Sequence, residues 1–191
     1  MAIRIQGQRK LATPPGNQTR PTTAKVRQAL FNIWQNSVSG CRWLDLCAGS
    51  GAMGAEALVR GASVVVGIEQ NPQAYRLIQH NWQSLAQAEQ QFQVIRADVI
   101  QALPQLQTAP FDHIYFDPPY DSNLYQPVLK LIAALNLLAP TGAMAVECRT
   151  HQLPELTGLG PYRQKVYGST TLIIVSSFNG EIEPKPNGDP E

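Results

Sequence analysis

DLCAGSGAMG, residues 45–54, joins a buried-strand pattern at 41–47 to a helix pattern at 52–60. Gly49, Gly51 and Gly54 have the spacing G-x-G-x-x-G. Glycines in such a loop let the backbone turn sharply and approach a ligand, and the following helix N-terminus adds partial positive charge. The pattern predicts a ligand that contains a nucleoside, and it leaves the choice of cofactor open.

The chain beyond this loop alternates between strand and helix patterns. Helix patterns lie at 72–85 and at 123–138, and strand patterns lie at 63–68, 92–96, 112–116 and 143–148, with a short helix to about residue 106 after the strand at 92–96. Repeated βα units with apolar strands indicate a parallel, doubly wound sheet. Two further strand patterns, 163–168 and 170–177, are separated by only a tight turn, so they must be antiparallel. The predicted fold class is therefore α/β and Rossmann-like, mostly parallel with an antiparallel strand at the end.

Acidic residues stand at or near the carboxyl ends of three consecutive predicted strands. They are Asp45, Glu69 and Asp98. Ligands of such sheets bind at this edge. Asp45 lies inside its strand, where a carboxylate can meet a cationic ligand group such as the α-amino group of a methionine moiety. Glu69 is placed to accept from ribose hydroxyls, and Asp98 from an adenine amino group, although both acids could instead cap the helices that follow.

The fourth strand pattern ends in Asp117-Pro118-Pro119-Tyr120. The double proline stiffens the backbone and leaves carbonyls without competing N–H donors. The Asp117 carboxylate and the Pro118 carbonyl could accept both N–H groups of an exocyclic base amine and aim its lone pair at an electrophilic methyl group. Tyr120 could hold the base flat while it is out of its stack. The motif therefore favours methylation of an amine on a base, and the alternative is a rigid turn.

Charge is distributed unevenly along the 191 residues, although the net charge is only +1. Residues 1–44 hold seven basic residues and no acid, which is typical of a segment that binds a polyanion. A helix is expected after Pro21-Thr22-Thr23, with Val26, Leu30, Ile33 and Trp34 forming its apolar stripe and with Lys25 and Arg27 pointing outward. The predicted organisation is a basic RNA-binding extension at 1–40 with one helix, a catalytic domain at 41–178 and a disordered tail at 179–191.

The three cysteines and three histidines form no ligand cluster in the sequence, so neither a metal site nor a disulfide framework is predicted. No apolar stretch has the length of a membrane span, and the first residues lack the apolar core of a secretory signal. We therefore expect a cytoplasmic protein.

Taken together, Asp45–Gly51, Glu69, Asp98 and the DPPY segment resemble the class I S-adenosylmethionine methyltransferases that methylate amines. Four further segments resemble the RsmD-type guanine-N2 methyltransferases of bacterial small-subunit ribosomal RNA. They are RPTT (20–23), Val26-Arg27, Leu30-Phe31-Asn32 and YGST (167–170). The resemblance covers about residues 3–177.

This resemblance implies a seven-stranded sheet with an antiparallel last strand and S-adenosyl-L-methionine as cofactor. It implies one methyl transfer to N2 of a guanine in 16S rRNA, with the RNA already in a ribosomal particle and the enzyme expected as a monomer. The residues implied to bind the cofactor are Asp45, Ala48, Gly49, Ser50, Gly51, Glu69 and Asp98. Those implied to act on the target guanine are Asp117, Pro118, Pro119 and Tyr120. Those implied to contact RNA phosphates are Arg4, Arg9, Lys10, Arg20, Lys25 and Arg27.

Other functions explain fewer of these features. A DNA adenine-N6 methyltransferase would also use DPPY, but such enzymes generally need an added target-recognition domain. A C5-pyrimidine methyltransferase would need a cysteine in the loop after the fourth strand, and a protein-glutamine methyltransferase would have Asn in place of Asp117. An NAD-dependent oxidoreductase explains the glycine loop alone, and an RNA-binding protein without a cofactor explains only the basic segment.

Overall fold

The computed structural model describes residues 3–12, 24–156 and 159–176, which form nine β-strands and five α-helices. None of the described helices is both long and apolar enough to cross a lipid bilayer. In chain order the elements are β1 (Ile3–Arg4), β2 (Lys10–Leu11), α1 (Ala24–Ile33), β3 (Arg42–Leu46), α2 (Ala52–Val59), β4 (Val64–Ile68), α3 (Pro72–Leu85), β5 (Gln91–Ile95), α4 (Val99–Ala102), β6 (Phe111–Phe116), α5 (Tyr125–Ala134), β7 (Leu138–Arg149), β8 (Tyr162–Tyr167) and β9 (Thr170–Ser176).

Seven of these strands form one sheet in the order β5-β4-β3-β6-β7-β9-β8, and β1 and β2 form a small separate hairpin. Strands β3 to β7 pair in parallel, whereas β9 runs antiparallel to both β7 and β8. This arrangement confirms the predicted fold class, a doubly wound seven-stranded sheet that is parallel except for its last strand.

Helices cover both faces of the sheet, as apolar strands of this kind require. Helices α1, α2 and α3 and the β1–β2 hairpin share one hydrophobic core with one face of the strands, centred on Trp43 and Trp82. Helices α4 and α5 share a second core with the opposite face, centred on Phe111 and Phe116. The site described below lies at the edge of the sheet where the parallel strands β3 to β6 end.

Helix α1 belongs to the first core, although the sequence predicts it as part of an extension. Val26, Leu30 and Trp34 are buried as predicted, but Ile33 is 36% exposed and Phe31 is buried in its place. Phe31 stacks on Trp43 of β3 with ring centroids 5.1 Å apart. Residues 24–38 therefore contribute side chains to the hydrophobic core and do not lie apart from the sheet.

The sequence misplaces the boundary between α5 and β7. Helix α5 ends at Ala134 rather than near 138, and Asn136 adopts a left-handed conformation with φ of 50°. Asparagine tolerates this conformation better than most residues, so the chain can turn there and enter β7 at Leu138, five residues before the predicted start. The predicted helix start at 21–23 and the predicted tail at 179–191 lie outside the described residues.

Candidate active site

The glycine loop and the DPPY segment leave neighbouring strands at the same edge of the sheet. Strands β3 and β6 pair in parallel, and Leu46 lies opposite Phe116. The loop that starts at Cys47 and the corner that starts at Asp117 therefore begin side by side. This adjacency is the geometry that methyl transfer between a cofactor and a base requires.

A cavity of about 320 Å³ opens at this edge. The residues predicted to bind the cofactor or the base that line it are Asp45, Ala48, Gly49, Ser50, Glu69, Asp98, Asp117, Pro118, Pro119 and Tyr120. Gly51 is the one predicted site residue of the glycine loop that does not line the cavity. Ten of the predicted residues thus lie together around one cavity.

Gly51 instead shapes the loop from behind. Its φ is 69°, and a Cβ at this position would lie 2.8 Å from Cγ1 of Ile78. The Gly51 carbonyl accepts a hydrogen bond of 2.9 Å from Nε1 of Trp82, which is fully buried in α3. Both the left-handed conformation and the close approach of α3 exclude a side chain here. Trp82 therefore supports the loop, and local sequence patterns cannot predict this role because Trp82 lies 31 residues away.

Asp45 lies at the base of the cavity and is only 1% exposed. Its Oδ2 accepts a hydrogen bond of 2.9 Å from the Gly54 backbone N–H. Burial raises the pKa of this carboxyl to about 8, and the nearby Glu69 charge adds to the effect, while the Gly54 hydrogen bond opposes it. A buried carboxylate that is poorly compensated favours a cationic ligand group.

Glu69 ties the loop to the next strand. Its Oε2 accepts a hydrogen bond of 2.7 Å from the Gly49 N–H, and its Oε1 accepts one of 2.7 Å from the Asn71 N–H. Each carboxylate oxygen can accept more than one hydrogen bond, so Glu69 can hold the loop and still receive ribose hydroxyls.

Asp98 is the N-cap of α4. Its Oδ1 accepts from the N–H groups of Ile100 at 2.9 Å and Gln101 at 3.3 Å. Both bonds use the same oxygen, so Oδ2 can accept from an amino group in the cavity. The capping role and the ligand role, which the sequence left as alternatives, are thus compatible in one side chain.

The Tyr120 ring is fixed by two contacts. Its hydroxyl is 2.9 Å from Oγ1 of Thr170, and the Arg149 guanidinium lies 5.0 Å from the ring centroid. Arg149 is held in turn by Asp121 at 3.4 Å. A ring restrained in this way can act as a rigid stacking platform for a base.

Several lining residues were not predicted. They are Cys47, Ala52, Met53, Ile68, Gln70, Ala97, Val99, Tyr115 and Leu124. Most are chain neighbours of predicted residues: Ala97 and Val99 flank Asp98, and Ile68 precedes Glu69. Apolar side chains beside an acid that accepts hydrogen bonds can hold a flat heterocycle. These residues could therefore have been predicted from their position next to Asp98 and Glu69 in the sequence.

Cys47 and Tyr115 place a thiol and a phenol among the lining residues. Burial raises the pKa of the Cys47 thiol far above its ordinary range, so this cysteine stays protonated and is a poor nucleophile. The Tyr115 hydroxyl donates a hydrogen bond of 2.6 Å to Oε2 of the buried Glu147. Tyr115 is two residues before Asp117 in β6, and this hydrogen bond fixes its ring under the cavity.

The structure corrects one of the predicted RNA contacts. Arg27 was expected to point outward, but it is only 4% exposed. Its Nε lies 3.5 Å from Oε2 of Glu56 in α2, and its Nη2 donates to the Arg4 carbonyl. An arginine can be buried when a carboxylate on another element balances its charge, and the pattern within one helix cannot reveal that partner.

Four of the other predicted RNA contacts lie at the surface of the described part of the chain. Arg4, Arg9 and Lys10 on the hairpin and Lys25 on α1 are exposed. Arg20 lies outside the described residues.

Known proteins resemble this chain in both sequence and fold. A family model described as "Conserved hypothetical protein 95" matches residues 3–176. The chain is 35% identical to "Putative rRNA methyltransferase YlbH" of Bacillus subtilis over 170 residues, which are 87% of this chain and 92% of the relative. It is 31% identical to "Ribosomal RNA small subunit methyltransferase D" of Escherichia coli over 162 residues, covering 84% of this chain and 80% of that one. A solved structure, "Putative methyltransferase yhhF from Escherichia coli", superposes with a TM-score of 0.82 at 28% identity and covers 94% of this chain and all of that one.

The chain belongs to the RsmD-type family of rRNA methyltransferases. Membership confirms S-adenosylmethionine as the cofactor and rRNA methylation as the activity, and it removes the NAD-dependent alternative. The cavity fits this cofactor by its chemistry, because it combines a buried carboxylate for a cationic amino group with two further acids and apolar side chains. Asp45, Glu69 and Asp98 are the residues that would hold the cofactor.

Proposed function

We propose that this protein transfers one methyl group from S-adenosylmethionine to the exocyclic N2 of a guanine in 16S rRNA. One observation carries the proposal: the Asp117–Tyr120 corner and the glycine loop line the same cavity. A base held by the corner therefore lies next to a cofactor held by the loop. Relatives named as small-subunit rRNA methyltransferases support the choice of 16S rRNA.

The corner would act on a weak nucleophile. The lone pair of an exocyclic amine is delocalised into the ring, so the amine must be held before it reacts. The Asp117 carboxylate and the Pro118 carbonyl accept its two N–H groups and turn its lone pair toward the cofactor side of the cavity. Tyr120 stacks on the ring, and Pro118 and Pro119 keep the backbone rigid. When bound, S-adenosylmethionine supplies an electrophilic methyl group on a positively charged sulfur.

Asp117 has a second part in this reaction. Methyl transfer leaves a positive charge on the amine nitrogen, which then loses one proton to give the neutral methylamine. A carboxylate at hydrogen-bonding distance stabilises that charge as it develops. This contribution exists only in the transition state and afterwards, so it raises the rate rather than the affinity for RNA.

Each of the three acids binds a different group of the cofactor. Asp45 binds the α-amino group, Glu69 the ribose hydroxyls and Asp98 the adenine amino group. Ala48, Gly49, Ser50 and Gly51 form the turn whose backbone approaches the cofactor. The Oδ2 of Asp98 and the second lone pairs of Glu69 are acceptors that the internal hydrogen bonds leave available.

We infer that the substrate is rRNA within a small ribosomal subunit or its assembly intermediate, met by a monomeric enzyme in the cytoplasm. Exposed cations at Arg4, Arg9, Lys10 and Lys25 support contacts with phosphates. Arg20 is included by its place in the sequence.

The nucleoside composition of 16S rRNA, measured with and without the gene, tests this proposal. Mass spectrometry should find one N2-methylguanosine fewer in cells without the gene, and expression of the intact gene should restore it. Expression of the Asp117→Ala variant should not. Loss of a methylated adenosine instead, or unchanged 16S nucleosides with a change in DNA, would overturn the guanine assignment.

A further inference from the structure

A second cavity, of about 490 Å³, lies between the β1–β2 hairpin, α1 and α2, and is separate from the active-site cavity. Its charged lining consists of three arginines and one glutamate: Arg4, Arg27, Arg60 and Glu56. Arg60 was not among the predicted RNA contacts. The lining of this second cavity shares no residue with that of the active-site cavity.

Glu56 is buried and organises the two arginines nearest to it. Its Oε1 lies 2.8 Å from Nε of Arg60, and its Oε2 lies 3.5 Å from Nε of Arg27. Oε2 also accepts a hydrogen bond of 3.1 Å from the Gln6 backbone N–H. The buried Glu56 carboxylate and the buried Arg27 guanidinium balance each other. Arg60, whose side chain is 21% exposed, therefore adds a positive charge at the mouth of the cavity.

The ion pair uses Arg60 through Nε only. Among the residues that the structure describes, no acceptor contacts the two Nη atoms of Arg60. The guanidinium also lies 4.9 Å from the Phe31 ring centroid, and the side chain is 21% exposed. Packing on Phe31 and the bond to Glu56 fix the plane of the group, so its remaining donors are preorganised.

We propose that this cavity binds a phosphodiester of the substrate RNA, with Arg60 as the residue that contacts it. A planar guanidinium with two unused N–H donors matches two phosphate oxygens, and a fixed fork loses little freedom on binding. Arg27 and Glu56 position Arg60 and do not themselves contact the RNA. Arg4 lies at the exposed rim and adds charge. The inference rests on the proposed function, because it takes RNA as the substrate.

The position of the cavity suits an RNA strand that also reaches the active site. Helix α2 begins next to the glycine loop, and Arg60 is its C-cap. Nine residues of helix correspond to about 13 Å along the axis. Arg60 lies at the end of α2 away from the glycine loop, and this span is within reach of a few nucleotides. One RNA strand can therefore supply both the target base and a phosphate at Arg60.

The test compares Arg60→Gln with Arg163→Gln, which removes an exposed arginine from β8 at the far edge of the sheet. Binding to small ribosomal subunits from cells without the gene is measured by filter retention over a range of KCl concentrations. Arg60→Gln should weaken binding about tenfold and lower the slope of log K against log[KCl] by about one unit. Arg163→Gln should change neither, and both variants should keep wild-type affinity for S-adenosylhomocysteine, which verifies the fold.

Arg60→Lys separates charge from shape. Lysine keeps the positive charge and the pairing with Glu56 but cannot present a fork, so the salt slope should stay at the wild-type value while affinity falls several-fold. Inorganic phosphate at millimolar concentration should compete with RNA in the wild type more strongly than in Arg60→Gln. If Arg60→Gln binds with wild-type affinity and slope, the inference is wrong. That result leaves the proposed function intact, whereas a wild type that methylates a base other than guanine refutes the proposed function alone.

Discussion

Asp117 is the residue on which the chemistry of the site depends most directly. We expect Asp117→Ala to lower kcat by about 10²–10³ or more, because it removes both an acceptor for the amine and the charge that stabilises the transition state. Transfer of a labelled methyl group to small ribosomal subunits measures the rate. Affinity for S-adenosylhomocysteine should stay within about twofold, since the cofactor residues lie on other strands. A variant as active as the wild type would show that Asp117 only shapes the turn.

Asp45 couples cofactor binding to pH. Its pKa rises from 3.8 to about 8 on folding, so the native state holds this proton more tightly than the unfolded chain does. The free energy of unfolding must therefore fall as pH rises from about 4 to about 8 through this group. Asp45→Asn removes that loss, and its amide oxygen can still accept from the Gly54 N–H.

We accordingly expect Asp45→Asn to be more stable than the wild type at pH 8 and to lose that advantage toward pH 5. Urea unfolding at pH 5, 6.5 and 8 measures the difference. Affinity for S-adenosylmethionine, measured by calorimetry, should fall at least tenfold, because a neutral amide replaces the partner of the α-amino group. Equal pH dependence in the two proteins would mean that Asp45 is ionised in the free enzyme.

At the scale of elements, Trp82 of α3 is the contact that joins α2, β4 and the glycine loop. A Cβ on Gly54 of α2 would lie 2.1 Å from Cζ2 of Trp82, and one on Gly67 of β4 would lie 2.6 Å from Cη2. The indole can pack in this place because two of its neighbours are glycines. The position of the loop thus depends on how closely α3 approaches.

Gly54→Ala should therefore destabilise the protein. Alanine favours a helix over glycine by about 1 kcal/mol, but the overlap with Trp82 forces a repacking that costs about 1–3 kcal/mol. The two effects leave a net loss of up to about 2 kcal/mol in urea unfolding. Cofactor binding should weaken as well, because the Gly54 N–H holds Asp45. Trp82→Leu in the Gly54→Ala background should recover part of the loss. A variant more stable than the wild type would show that α3 can move away without cost.

Local patterns predicted most of the elements and the acids at the strand ends, because strand and helix periodicities and Gly-rich loops are properties of short segments. They failed where the decisive partner was distant. Arg27 is turned inward by Glu56, and Gly51 is supported by Trp82, and neither partner is close in sequence. Tyr115 was missed for the same reason, since its role depends on Glu147 in the next strand of the sheet.

At the scale of the whole molecule, the N-terminal residues are basic and structural at once. Phe31 covers Trp43, and Trp34 stacks on His113 with ring centroids 4.2 Å apart. We expect a chain that starts at residue 41 to lose cooperative unfolding, because its sheet would expose this core to water. Thermal unfolding followed by circular dichroism measures this.

Arg9→Ala/Lys10→Ala is the matched control, since it removes charge from the exposed hairpin without touching the core. Its unfolding free energy should stay within about 0.5 kcal/mol of the wild type, while its binding to small subunits weakens and depends less on salt. A shortened chain that unfolds as cooperatively as the full one would confine the N-terminal residues to an RNA-binding role.

The place of β9 in the sheet has a consequence for biosynthesis. β9 lies between β7 and β8 and pairs with both, yet it is translated after them. While it is still inside the exit tunnel, the two flanking strands have no partner on the side that it will fill. Until β9 emerges, β7 is therefore an exposed edge strand and β8 has no strand to pair with. Chaperones that shield unpaired strands can bind the nascent chain in that interval.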